Sequence, residues 1–305
     1  MFNLSELYYP ITANPAGGGE YLPGRLLQPY IRCFWGTVPP PGEQQKAQSV
    51  EIAQGHNGAV ISESESESES ESESTFRNRT ETIIPDSCMD IIWEWDEHTG
   101  ESGGIFCGIN DTPFEVGQAR QPAGRQRFAI RFHFWAVHLF TDEQLQDVLN
   151  VHAPVEQYFR SFRMELGDKL RGTHTMSERI AMAELFLLRR LENAGRSSDG
   201  MMNAVHRMLK SRGVVSAGEL ELSSGFSSRQ LERLFRQHIG LPPKKVADLV
   251  RFQNVWLELY RTPLHRGGLQ DIVFAYGYSH QSHFINNFRK FAGRTPLDAL
   301  SYARS

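Results

Sequence analysis

The sequence predicts an α+β chain. A β-rich part over residues 1–140, with the pattern of a β-sandwich or cupin-like barrel, is followed by connecting helices over 141–200. An all-α third over 201–305 is built twice from one unit. Three observations predict this. Apolar residues alternate with polar ones between residues 80 and 140, the two-residue period of a strand. After about residue 142 the apolar spacing becomes i, i+3, i+4, the period of a helix. The last third contains the same short pattern two times, 52 residues apart.

In the first part, Pro15–Gly19 and Pro39–Gly42 are turn-rich, and Tyr30–Gly36 between them reads as a strand. Residues 62–74 are six Ser-Glu dipeptides plus a serine. That segment has no apolar surface to bury and repels itself, so it is expected to be a disordered loop within the β-rich part. Thr80–Asp86 ends in a Pro-Asp turn. Ile91, Trp93 and Trp95 share a strand face. So do Phe128, Ile130, Phe132 and Phe134, with Ala129, Arg131, His133 and Trp135 on the reverse. Short strands separated by Gly and Pro suggest a sandwich or barrel. If the reverse face lines its interior, Arg131, His133 and Trp135 are candidates to hold an anionic or polar effector.

Leu145, Val148 and Leu149 predict a helix from about 142. A longer helix over 177–193 carries an apolar stripe of Ile180, Leu187, Leu188 and Leu191 and stops at Gly195. These helices are expected to connect the two ends of the chain or to pair it as a homodimer.

Residues 201–305 carry 15 Lys/Arg against 7 Asp/Glu, whereas the whole chain has a formal charge of −4. A basic third on an acidic body points to a polyanion partner. In this third, Gly225-Phe226-Ser227 recurs as Gly277-Tyr278-Ser279, Phe235-Arg236 as Phe288-Arg289, and Gly240-Leu241-Pro242-Pro243 as Gly293-Arg294-Thr295-Pro296. Each Gly turn separates two helices, 216–224 from 228–239 and 269–276 from 281–291, the outline of a helix-turn-helix. Ser227 and Gln230 form a capping box at the second helix of the first copy. Leu231, Leu234, Phe235 and Ile239 are its inward stripe, which turns Arg229, Gln230, Glu232, Arg233 and Arg236 outward. In the second copy Phe284, Phe288 and Phe291 face inward; Gln281, Ser282, Ile285, Asn286 and Arg289 stay on the open side. Arg, Gln, Asn and Ser near a helix start are the chemistry that reads base edges in a major groove. The helix over 243–260 is about 27 Å long, enough to hold two such heads roughly one duplex turn, about 34 Å, apart. Lys244, Lys245, Arg251, Arg236 and Arg289 are candidate phosphate contacts.

Residues 214–300 resemble the DNA-binding domain of AraC-type transcriptional regulators. The stretches that carry the resemblance are Ser228-Arg229-Gln230-Leu231-Glu232-Arg233-Leu234-Phe235, Gly240–Lys244, Gly277–Arg289 and Gly293–Pro296. It implies two helix-turn-helix units placed in adjacent major grooves of double-stranded DNA. On matching positions the base contacts fall to Arg229, Glu232 and Arg233, and to Gln281, Ser282 and Asn286. His280 departs from the Asp or Asn common there, which weakens the helix cap unless Ser279 supplies it. Residues 85–92 and 128–133 resemble the β-rich domain that precedes this unit in some members, which implies sensing of a small molecule or dimerisation.

Other chemistry is not called for. Three cysteines without a Cys-x-x-Cys pair argue against a disulfide framework or zinc finger. Cys88, between Asp86 and Asp90, reads as a buried structural cysteine. His280 and His283 lie at metal-pair spacing but in the reading helix and without cysteine partners, so no metal centre is expected. No phosphate loop, dinucleotide fingerprint or nucleophile elbow is present, and no cofactor is expected. No apolar run is long enough for a membrane span and the first residues do not read as a secretory signal, so a cytoplasmic location is expected. The competing class is an enzyme with its site in the β-rich part, which requires converging acid, base or metal residues between 80 and 140.

Overall fold

The computed structural model describes residues 4–11, 19–37, 80–96, 98–117, 125–194, 198–261 and 268–304. The Ser-Glu segment, most of the Gly/Pro-rich stretches and Gly195 lie outside them.

Among the described residues seven strands build the first part and an eighth follows it: β1 (Glu20–Tyr21), β2 (Ile31–Thr37), β3 (Thr80–Ile83), β4 (Met89–Asp96), β5 (Ser102–Cys107), β6 (Phe114–Gly117), β7 (Arg125–Phe132) and β8 (His152–Pro154). Six form one antiparallel sheet in the order β1-β2-β7-β4-β5-β8, and β3 pairs with β6. No closed barrel forms among the described strands. The two-residue period holds well in β4, where Met89, Ile91, Trp93 and Trp95 are buried. They stand opposite Phe132, Ile130, Phe128 and Gln126 of β7. The Phe128 ring stacks with Phe34 at 5.9 Å and with Trp93 at 6.3 Å, so the central strands share one aromatic core. The reverse face carries ionic rungs: Arg127 meets Glu94 and Arg131 meets Asp90 across the same pair of strands.

The region 141–200 departs from its prediction in its first half, while the helix expected over 177–193 forms. Residues 141–150 contain no helix. Leu145 and Val148 are buried because they plug the junction with the C-terminal third, which a loop can do as well as a helix. Residues 152–154 then extend the sheet as β8. Helical structure begins with a 3-10 turn, Val155–Gln157, passes through a π-helical turn, Phe162–Gly167, that runs into α1 (Asp168–Arg171), and continues in α2 (Met176–Asn193). The buried side of α2 is Met176, Arg179, Ala183, Phe186 and Leu187; Ile180, Leu188 and Leu191 are only half-buried. Arg179, 1% exposed, is held by Thr173 and Gln126 and lies 4.6 Å over the Trp95 ring, which lets a charge occupy a core position.

Seven helices complete the described chain: α3 (Asp199–Lys210), α4 (Ala217–Ser224), α5 (Ser228–His238), α6 (Pro243–Arg261), α7 (Gly268–Ala275), α8 (Gln281–Ala292) and α9 (Pro296–Arg304). Phe252 and Trp256 of α6 pack against Phe288, and Phe252 against Phe291, at 5.0–6.1 Å, so α6 supplies the core of the second copy.

Candidate nucleic-acid interface

The two turns are built as the sequence requires. Gly225 ends α4 in the left-handed region at φ 73°, and Gly277 occupies the same region at φ 66°, where a Cβ is penalised. Ser227 then caps α5: its hydroxyl accepts the Gln230 N–H, and Gln230 Oε1 accepts the Ser227 N–H at 3.0 Å. Glu221 ties the two helices of this copy together by accepting from both the N–H and the hydroxyl of Ser228 at 2.6 Å. In the second copy His280 performs the cap itself, its Nδ1 accepting the His283 N–H at 3.1 Å. Ser279 instead bonds to the His283 ring. A ring nitrogen is an acceptor when neutral, so histidine replaces the expected carboxylate or amide without loss of the helix start.

The outward faces of α5 and α8 stay open. Leu231, Phe235 and Ile239 are buried in the first copy and Phe284, Phe288 and Phe291 in the second, while Leu234 is half-buried. Arg229, Arg233, Gln281, Ser282 and Asn286 are exposed, and Glu232 is half-exposed. Arg233 reaches Gln237 at 3.4 Å and Arg236 bonds to Glu232 at 3.0 Å, one helical turn back. Arg229, Lys244 and Arg289 are exposed, and none of the three makes an ion pair among the described residues. Two expected phosphate contacts are placed otherwise. Lys245 is half-buried in an ion pair with Asp111 of the β-rich part. Arg251 bonds to Asp248 and lies 4.7 Å over the Tyr278 ring, bracing the second turn from α6.

Among the described residues the expected effector face is engaged by the protein's own groups. Arg131 is held by Asp90 at 2.9 Å, by Asp86 at 3.4 Å and by Glu20 at 3.6 Å. Burial opposes its charge, but the two aspartates outweigh that and push its pKa well above the ordinary value. The strand ends at Phe132, so His133 and Trp135 do not continue its alternation. Their rings stack at 4.4 Å in the interior, and Trp135 donates to the Pro29 carbonyl at 3.0 Å. Burial, with the Arg32 charge added, lowers the His133 pKa to about 3. The cysteines are equally inert: burial outweighs the Arg131 charge and holds Cys33 and Cys107 up at about 12, and burial, with the Asp86 charge added, holds Cys88 well above its ordinary value.

The junction with the β-rich part uses residues that the sequence did not single out. Gln253 of α6, 2% exposed, accepts the Ile11 N–H at 2.8 Å and donates to the carbonyls of Ile11 and Pro85. Asp111 is oriented by Asn150 at 2.8 Å while it binds Lys245. Burial raises the Asp111 carboxyl, but these hydrogen bonds outweigh it and hold the group ionised below its ordinary range. A buried amide at a helix position gives no periodic signal, and an Asp-Lys pair separated by 134 residues leaves no local one.

Residues 222–301 match a family model described as a helix-turn-helix domain. They form a helix-turn-helix domain. The chain is 33% identical over 73 residues to the HTH-type transcriptional regulator GlxA of Rhizobium meliloti (strain 1021). That stretch is 24% of this chain and 22% of the relative, so the match spans about a fifth of the curated protein's length. Among solved structures, a probable AraC family transcriptional regulator from Rhodopseudomonas palustris CGA009 is 23% identical at a TM-score of 0.30, over 35% of this chain and 100% of that one. ToxT from Vibrio cholerae O395 is 11% identical at a TM-score of 0.38, over 73% of this chain and 94% of that one. Among the described residues no helix is long and apolar enough to cross a membrane.

Proposed function

We propose that the chain is a sequence-specific DNA-binding transcriptional regulator, with residues 201–305 as the reading unit and the β-rich part as a unit that senses a small molecule or pairs two copies. The observation that carries this reading is that α5 and α8 each follow a glycine turn, bury one apolar stripe and leave Arg, Gln, Ser and Asn exposed on the other side. Arg229, Glu232 and Arg233 read bases from the first helix, and Gln281, Ser282 and Asn286 from the second. Arg236, Lys244 and Arg289 contact phosphates; Lys245 joins them only when Asp111 releases it. The printed name of the relative, a transcriptional regulator, supports the same reading.

The enzyme alternative requires free acid and base groups in the β-rich part. Asp86, Asp90, Glu20 and Arg131 are there, but bound to one another in one ion-pair cluster.

Selection of bound duplexes from a random pool, followed by gel shifts with single-residue variants, tests the proposal. The selected site should contain two half-sites about one turn, roughly 34 Å, apart. Arg233→Ala and Asn286→Ala should each cost about 1–3 kcal/mol at one base pair. Affinity should fall steeply with salt. A pool that yields no common sequence refutes specific reading.

A further inference from the structure

We propose that the Ser-Glu segment, Ser62–Ser74, docks on the outer face of α8 and competes there with a duplex. That face is cationic and unpartnered. α8 contains no Asp or Glu along its 12 residues. Ser282, Asn286, Arg289 and Lys290 follow one another at three- and four-residue spacing and therefore share a face. All four are exposed, and neither Arg289 nor Lys290 makes an ion pair among the described residues. Ser282 and Asn286 add hydroxyl and amide donors for an anion. Asp111 of the β-rich part, whose carboxyl feels the Lys290 charge, is already bound to Lys245.

Charge and attachment select the occupant. Ser62–Ser74 lies outside the described residues, but its sequence carries six glutamates and no basic residue, with a carboxylate at every second position. In any extended backbone every second side chain faces the same way, about 6.6 Å apart, so one edge presents anions in single file, as a nucleic-acid strand does. The segment rejoins the described chain at Thr80, six residues after Ser74. β3, which begins there, lies against the end of the second copy. The Thr82 N–H donates to the Tyr302 hydroxyl of α9 at 3.1 Å, and the guanidinium of Arg294, which lies between α8 and α9, stands 3.9 Å over the Tyr302 ring. At a maximum of roughly 3.3–3.6 Å per residue, Glu73 reaches about 25 Å from Thr80 and Glu63 about 60 Å. α8 is about 18 Å long, so the acids span it.

Exposed ion pairs are individually weak. The covalent link to Thr80 makes this docking intramolecular, at an effective concentration on the order of millimolar, so several weak contacts are populated together. A duplex that seats α8 must first displace the segment. The second half-site therefore bears the competition, most strongly at low salt, where screening is least. The competition rests on the proposed function; the docking itself does not.

The test uses the full chain and a variant of it with Glu63→Gln, Glu65→Gln, Glu67→Gln, Glu69→Gln, Glu71→Gln and Glu73→Gln together, which keeps the length and removes the charge. The probe is a fluorescein-labelled peptide of the sequence Ser62–Ser74, read by anisotropy at low salt. It should bind the glutamine variant saturably and the wild type about tenfold or more weakly, because the wild type's own segment holds the face. Adding Arg289→Gln and Lys290→Gln, both at exposed positions, to the glutamine variant should weaken the peptide about tenfold, with thermal unfolding used to confirm that each variant is folded. Equal peptide affinity in wild type and glutamine variant, or in the glutamine variant with and without the α8 pair, overturns the docking. In gel shifts on the selected duplex at low salt, the glutamine variant should bind about tenfold tighter than wild type, with the gap closing as salt rises. Equal duplex affinity overturns the competition. Absence of any duplex binding by either protein overturns the proposed function, and the peptide titration then decides the docking.

Discussion

His133 makes the acid sensitivity of this protein calculable. Its ring is 3% exposed, stacked on Trp135 at 8° between planes, and its Nδ1 has no hydrogen-bond partner among the described residues. Burial, then the nearby Arg32 charge, drops its pKa from the ordinary 6.5 to about 3. The folded chain therefore keeps the ring neutral where the unfolded chain protonates it. Stability from this group is complete above the unfolded value and is lost as pH falls through about 6.5 toward 3. At about pH 5 the unfolded ring is some 1.5 pH units into protonation while the folded ring still binds almost nothing. At 1.36 kcal/mol per unit this amounts to about 2 kcal/mol. His133→Phe keeps an aromatic ring on Trp135 and removes both the titration and the unpartnered nitrogen. Its stability near pH 7.5 should equal or exceed wild type within about 1 kcal/mol. Urea unfolding of both proteins near pH 7.5 and pH 5 gives the comparison. His138, also pushed down to about 3, by burial first, contributes the same slope to each protein and cancels. The loss between the two pH values should be about 2 kcal/mol smaller in the variant. Parallel losses would refute the assignment of a neutral, desolvated ring.

Two further outcomes follow from geometry at the interface and the junction. Ser227→Ala removes the acceptor for the Gln230 N–H and should cost about 1 kcal/mol in urea unfolding while weakening DNA binding through the frayed start of α5. Asp111→Ala leaves the Lys245 ammonium half-buried without its carboxylate and should destabilise the chain by about 1–3 kcal/mol, read as a lower Tm in calorimetry; an unchanged Tm would show that the pair contributes nothing.

The parts of this molecule that the sequence makes legible are those specified by short-range chemistry. The helix-turn-helix pair is announced by glycine at positive φ, by a Ser-x-x-Gln box and by apolar stripes, each of which acts within four residues. The alternation in β4 is equally local. Where the sequence misleads, distant packing decides. Leu145, Val148 and Leu149 have helical spacing, yet they belong to a loop, because two of them are needed against α5 and Gly240 rather than along a common helix face. His152–Pro154 is too short to signal a strand and becomes one only because β5 offers an edge. Arg131, His133 and Trp135 look like a lined pocket when alternation is extended past Phe132; the chain turns there, and carboxylates from three other positions claim the guanidinium.

The seating of both reading helices on one wall has a mechanical consequence. A Cβ at Gly240, beyond the end of α5, would collide with the Leu145 carbonyl and Val148, and one at Gly293, ending α8, would come within 3.1 Å of Pro113. Between them, Lys245 and Gln253 bolt the spanning helix to Asp111, Ile11 and Pro85. The orientation of α5 and α8 relative to each other is thus set by four anchorages on the sheet-bearing half, not by a lone rod. A small slip of the 109–113 and 145–150 loops would detune both heads together, as a bent jig misaligns every hole drilled through it.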